Sequence, residues 1–350
     1  MVLFSITVSG CSNGEHLDLS EAPPDTTLLP GDSTITPPSD SALPPPVDSS
    51  PPPPVDSSPP LPPPLGPDST LPPAPPPVHT GIPFGPFVYT KGSSTQSVIP
   101  ASKLNSGFTA IVAPVYGPTL LRQLDAARRS NDRVLLAFAG SSRLYTDANG
   151  FNMIRWKARV DRFRSMDISS YIADGTILGH FIMDEPADPV NWNGHVVSPA
   201  EIEEMARYSK EIWPDLPAII RAWPSYLKGY DYQYLDAAWA QYHTRMGSIE
   251  DFISTNVRQA REIGLGLVGG LNVLAGGGQD GVGGYMAGKN SMSASQIRTL
   301  GEKYLDEPYI CAFLMWTYDS NYVARPDISD AMAELSKKAR SYPNQKCRNG

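Results

Sequence analysis

The segment Phe181-Ile182-Met183-Asp184-Glu185-Pro186 closes an apolar run with two adjacent carboxylates and a proline. A buried strand that hands an acid to the rim of an active site ends in this way, and the proline stops the strand and fixes the turn. The chemistry on offer is general acid/base catalysis. Strand alternation puts Phe181, Met183 and Glu185 on one face and Ile182 and Asp184 on the other. With Glu185 at a barrel mouth, burial near the rim raises its pKa, as a proton donor requires. Asp184 then starts on the helix side, a structural carboxylate bonded to loop backbone and at most a secondary ligand contact.

The partners of Glu185 are sought at the ends of other apolar runs: Ser141 and Arg143, Arg221 and Trp223, Gln241 and Tyr242, Asn272, then Trp316, Tyr318 and Asp319. Aromatic rings with a few polar groups suit a concave ligand site. Trp316 and Tyr318 are expected to share a face near a strand end, whereas Trp239 reads as core and His180, inside a strand, as a satisfied core residue. Asp184, Arg143, Arg221, Gln241, Tyr242, Asn272, Trp316 and Tyr318 are the expected substrate contacts.

These residues need elements to position them. Strands are predicted at Pro86–Tyr89, Thr109–Pro114, Val134–Ala139, Leu178–Met183, Ala218–Ala222, Ala237–Tyr242, Leu265–Leu271 and Cys311–Trp316. Ser198-Pro199-Ala200-Glu201 and Ser293-Ala294-Ser295-Gln296 are capping boxes that start helices. Apolar stripes at Ile202, Met205, Ala206, Ser209 and Ile212, at Ile249, Phe252, Ile253, Val257 and Ala260, and at Ile328, Ala331, Met332 and Leu335 have helical spacing. About eight strands alternating with helices imply an α/β fold, a (β/α)8 TIM-type barrel; a doubly wound sheet has the same alternation. The barrel is preferred because its strand ends, polar and aromatic here, converge on one mouth.

Asp184-Glu185-Pro186 is similar to the Asn-Glu-Pro that ends the fourth strand of clan A glycoside hydrolases, where the glutamate is the general acid/base. Leu314-Met315-Trp316 is similar to the last strand of that clan, whose tryptophan floors the sugar site. The resemblance implies a carbohydrate substrate and glycoside hydrolysis with Glu185 as proton donor. It departs at Leu265–Asn272, where the clan places a nucleophilic glutamate and this chain has Asn272. Glycoside hydrolysis ordinarily uses two carboxylates, about 5–5.5 Å apart for retention and about 6.5–9.5 Å for inversion. The resemblance therefore implies a second catalytic acid, for which Asp319 after the eighth strand, Asp280 in the glycine-rich stretch and Asp147 are the candidates. Alternatively, an amide at Asn272 orients an acetamido group of the substrate. A carbohydrate-binding barrel without turnover and a structural envelope lipoprotein are the competing readings.

Composition divides the chain. Of its 37 prolines, 25 lie in residues 1–90, which carry nine carboxylates and no Lys or Arg; the net charge of −8 therefore resides there and leaves +1 on residues 91–350. No basic patch suggests nucleic acid. Val8-Ser9-Gly10-Cys11 resembles the lipobox of bacterial lipoproteins, which implies lipidation at Cys11, a bacterial cell-envelope location, and a membrane contact only through that anchor. Residues 1–11 read as a truncated signal segment and 12–82 as a Pro-rich disordered linker with a repeat around Val47-Asp48-Ser49-Ser50 and Val55-Asp56-Ser57-Ser58. Residues 83–343 form the barrel domain, expected as a monomer, and 344–350 a tail.

Gly276-Gly277-Gly278-Gln279-Asp280-Gly281 matches a dinucleotide fingerprint in spacing, but no helix opens behind it, so it reads as a mobile loop over the mouth. No metal-spaced His pair or Cys/His cluster occurs, and no metal or cofactor is expected. Cys311 reads most simply as a buried small hydrophobe; spacing leaves a bond to Cys347 open.

Overall fold

The computed structural model describes residues 79–87, 101, 104, 107–114 and 117–343, together with Cys347. The lipobox-like segment with Cys11 and nearly all of the Pro-rich linker lie outside the described residues. Eight strands carry the fold: β1 (Phe84–Pro86), β2 (Ala110–Pro114), β3 (Arg133–Ala137), β4 (Ile177–Asp184), β5 (Ala218–Arg221), β6 (Ala237–Tyr242), β7 (Gly266–Leu271) and β8 (Ile310–Met315). Every neighbouring pair is parallel, in the order β1-β8-β7-β6-β5-β4-β3-β2. The gap between β1 and β2 is nearly closed by a parallel bridge from Phe87 to Val112 and by Thr109 N donating to Phe84 O at 2.9 Å. The result is a (β/α)8 barrel.

β1 begins two residues before its predicted start. Aromatic packing seats it there: the Phe84 ring stacks on Phe313 of β8 at 5.4 Å and on Phe108 at 5.9 Å. Gly85 is required at this closure, since a Cβ would lie 1.6 Å from Ala110 O.

Among the described residues, seven α-helices of five or more residues flank the sheet: α1 (Leu120–Arg129), α2 (Met153–Asp161), α3 (Ser169–Ala173), α4 (Pro199–Ile212), α5 (Ile249–Glu262), α6 (Ala294–Leu305) and α7 (Pro326–Ser341). Both predicted capping boxes are formed, at the starts of α4 and α6. The stripes of α4, α5 and α7 pack against the sheet as their spacing requires. Apolar side chains separate into two cores. One lies between sheet and helices and includes Trp156, Met205 and Met315. The other fills the barrel with Phe87, Leu135, Phe181, Trp239, Val268 and Leu314. Trp239 is fully buried, as expected of a core residue.

His180 is also buried, but only half satisfied: Nδ1 lies 2.8 Å from Ser209 Oγ on α4, while Nε2 has no partner among the described residues. Burial lowers its pKa to about 3.

The far end of the barrel is tied by its flanking segments. Ile82 N donates to Ala339 O of α7 at 3.0 Å, and the buried Arg133 Nη2 donates to Gly81 O at 2.8 Å. Cys311, at the start of β8, is buried and bonded to Cys347, with Cα atoms 4.9 Å apart. It is therefore a tether as well as the small hydrophobe its neighbours suggested. Among the described residues, no helix is long and apolar enough to cross a membrane.

Candidate active site

The strand alternation expected for β4 fails at one point, and the failure decides the site. Phe181 pairs in register with Ile219, but the next partner of β5, Ile220, stands opposite Met183, so β4 carries one extra residue there. Such a bulge shifts the parity of all that follows and re-aims side chains. Phe181 points into the barrel, Ile182 and Met183 pack in the outer core, and Asp184 turns inward beside its register partner Arg221. The expectation that Asp184 starts on the helix side is thereby corrected.

Asp184 Oδ1 accepts a hydrogen bond from Arg221 Nε. Arg221, at the end of β5 and buried, also places Nη2 3.1 Å from Glu185 Oε1 and donates from Nη1 to Gln241 Oε1 at 2.9 Å. One guanidinium thus spans three side chains from β4, its exit and β6. Burial raises the Asp184 pKa to about 6; Arg221 opposes the rise and the charge of Glu185 adds to it. The side chain of Glu185 is 51 % exposed.

Glu185 adopts a left-handed conformation, φ 44°, which is uncommon for a residue with a side chain. Three hydrogen bonds hold it: Glu185 N donates to Arg221 O at 3.0 Å, and Glu185 O accepts from Asp188 N at 3.1 Å and from Trp192 Nε1 at 3.0 Å. Asn191 Nδ2 reaches Glu185 Oε2 at 3.4 Å. The backbone is over-determined so that this carboxylate stands at the rim.

The same parity places the other strand ends. Val268 and Leu314 fill the barrel, which turns Asn272, four residues beyond Val268, and Trp316, two beyond Leu314, to the mouth. They form a parallel bridge with each other. Asp184, Arg221, Gln241, Asn272 and Trp316 therefore constitute an inward ring from β4 to β8. Asn272 Oδ1 accepts from Ala275 N at 3.0 Å. With Gln241 Oε1 held by Arg221, Gln241 Nε2 is buried without a partner among the described residues. One inward step below it, Trp239 Nε1 is in the same condition.

Other predicted site residues have different tasks. Tyr242 faces the helices, its hydroxyl donating to Gly247 O at 2.6 Å and its ring meeting Phe252 edge-on, because it follows the inward Gln241 in a regular strand. Tyr318 packs on the outer core, its amide donating to Phe87 O at 2.8 Å; Trp316 touches both cores. Arg143 is exposed on the turn Ser142–Leu144. Asp319 caps the short helix Ser320–Val323, its Oδ1 accepting from Tyr322 N at 2.9 Å. Asp147 accepts from Asn149 N at 2.9 Å and Asn152 Nδ2 at 2.5 Å in a hairpin turn, and these bonds lower its pKa. Asp280 closes the turn Gly278–Asp280. Among the inward positions at the ends of β4 to β8, Asp184 is the only acid.

The glycine-rich stretch is built into a turn and the hairpin Val282–Met286/Lys289–Ser291, not an open loop. Gly277 N donates to Asn290 O at 2.9 Å, and Gln296 Nε2 to Gly277 O at 2.8 Å. A Cβ at Gly277 would lie 2.2 Å from Ser291 O, so close backbone approach explains the glycine. One site residue escaped sequence reasoning: Asn191, whose Nδ2 reaches Glu185. Its only signal was its place in the loop that follows β4.

No family model matches the chain, and no curated protein does. Solved structures share its fold. A beta-glucanase from Saccharophagus degradans superposes with a TM-score of 0.53 at 11% identity, covering 75% of this chain and 89% of that one. A hyperthermophilic endocellulase from Pyrococcus horikoshii gives 0.50 at 10% identity, over 74% of this chain and 93% of that one. A beta-D-glucuronidase from Dictyoglomus thermophilum gives 0.50 at 10% identity, over 77% of this chain and 52% of that one. The chain has a (β/α)8 barrel of the kind found in glycoside hydrolases.

Proposed function

We propose that this barrel hydrolyses a glycosidic bond, with Glu185 as the proton donor. The observation that carries the reading is the strained, triply held backbone that sets Glu185 at the mouth beside Arg221. Strain of this kind concentrates where a side chain must be aimed. The inward ring offers amide donors and the Trp316 ring to a sugar. Glu185→Gln removes only the titratable group. Hydrolysis of glycans with poor leaving groups should fall by roughly 10²-fold or more, and activated aryl glycosides should suffer less. Equal turnover by wild type and Glu185→Gln removes Glu185 from catalysis.

The second reading is a carbohydrate-binding barrel without turnover. It is favoured by the ring from β4 to β8, where no acid other than Asp184 points inward. Glycan binding by calorimetry with no product from any glycan bound would select it. In either case we propose a monomer held at the bacterial envelope by a lipid on Cys11, with residues 12–82 as spacer. Mass spectrometry of membrane-fraction protein tests this: an unmodified secreted chain that retains residues before Cys11 defeats it.

A further inference from the structure

Hydrolysis with net retention needs a nucleophile besides the proton donor, and the strand ends of this mouth lack an obvious one. β7 ends in Asn272, Asp319 caps a helix, and Asp147 and Asp280 belong to turns. The remaining inward acid, Asp184, adjoins Glu185 in sequence and shares Arg221 with it. Two carboxylates on one side of a mouth cannot attack and protonate from opposite faces of a sugar ring. They can act together on a substrate that brings its own nucleophile.

We propose that the mouth takes a glycan with a 2-acetamido sugar at the bond to be cleaved, Asp184 receiving the acetamido N–H and the acetamido carbonyl oxygen serving as the nucleophile. This rests on the reading of Glu185 as proton donor. The carbonyl oxygen forms a bond to C1 as the C1–O bond to the leaving sugar breaks. Glu185 gives its proton to the departing oxygen, and the N–H proton moves toward Asp184, so that the ring formed is a neutral oxazoline. Water then adds at C1 and reopens that ring. Glu185 takes the water's proton, and the N–H proton returns from Asp184 to nitrogen.

The placement of the pair fits these roles. Asp184 lies deeper, fixed by Arg221 Nε, yet 29 % of its side chain remains open to the mouth. Glu185 stands above it at the rim. Beside Asp184, Gln241 Nε2 is a buried donor with its acceptor end already committed to Arg221. An unmet buried donor is costly, and a site built to receive an oxygen acceptor beside Asp184 explains it. Attack from the acetamido oxygen requires a leaving group trans to it, which selects β-linked gluco- or galacto-configured sugars.

The test uses the whole chain and paired aryl β-glycosides. In the N-acetyl, N-difluoroacetyl and N-trifluoroacetyl glucosaminide series, fluorine weakens the carbonyl nucleophile, and kcat/KM should fall by about 10²-fold or more across the series. The matched glucoside with a 2-hydroxyl should be cleaved at least about 10²-fold more slowly than the N-acetyl substrate. Asp184→Asn should lower kcat more than it raises KM, and should flatten the acid limb of the pH–rate profile. The wild-type fluorine series decides the matter even if that variant folds poorly. Equal cleavage of the glucoside, or no dependence on fluorine, overturns the inference and leaves Glu185 as proton donor. No turnover of any glycoside, with no binding of a thiazoline analogue of the oxazoline, overturns both.

Discussion

Arg221 is the residue on which the mouth depends, because its buried guanidinium is shared by Asp184, Glu185 and Gln241. Removing one member of a buried charge pair strands the other, at about 3–5 kcal/mol. Arg221→Met should therefore destabilise the fold by about 3 kcal/mol near pH 8, where Asp184 is ionised, and by less near pH 5, where it holds a proton. Urea denaturation of both proteins at the two pH values checks this. Asp184 itself has a pKa raised by burial, so its contribution favours the fold below the ordinary carboxylate range and is lost as pH rises through about 6. His180 has the opposite sign. Its folded pKa is depressed from 6.5 to about 3, so its contribution is present above 6.5 and is lost as pH falls toward 3. Melting temperature measured against pH should decline less steeply over that window in His180→Gln than in wild type.

The bulge in β4 and the loop that leads into β6 act at the scale of elements. The bulge turns Asp184 inward, and the entry to β6 sets where Gln241 falls. That entry is clamped from α4: the buried Glu203 accepts the amides of Gln233 at 2.6 Å and Tyr234 at 2.8 Å on Oε1, and of Leu235 at 3.0 Å on Oε2. Charge-assisted bonds to backbone are strong, and their loss leaves buried donors unmet. Glu203→Ala should cost about 3 kcal/mol, and Glu203→Gln should recover part of it by keeping one acceptor oxygen. Chemical denaturation of the two variants reads the difference. Ser198→Ala, which removes only the N-cap of the same helix, should cost about 1 kcal/mol.

Two tethers close the far end of the barrel at the scale of the whole molecule. The Cys311–Cys347 bond encloses 36 residues of sequence separation, a span that includes α7. Cys347→Ala should lower stability by about 2–4 kcal/mol, and added reductant should then have no further effect. The other tether is the segment before β1. A chain that begins at residue 79 should melt at the full-length temperature, because residues 79–82 retain their contacts with α7 and Arg133. A chain that begins at Phe84 loses buried Ile82 and the acceptor for Arg133, and its melting temperature should fall by several degrees. Calorimetry of the two truncations separates these outcomes.

What the sequence determined by itself is periodic or local. The eight strands, both capping boxes and the apolar stripes of α4, α5 and α7 follow from side-chain spacing and cap chemistry, which act over a few residues. Glu185 at the end of the fourth strand was legible for the same reason: an apolar run cut short by charge and proline. The tertiary structure alone decided which way the neighbouring side chains point. A bulge in β4 is a mismatch between two strands, and no single strand's sequence records it; it turned Asp184 inward onto Arg221, against the alternation expected of it. Likewise Asp319 and Asp147 reveal their local duties only when the backbone amides they accept are in place. Tyr242 turns away from the mouth because the inward register of β6 is set by Trp239 inside the barrel, a contact made across the whole sheet.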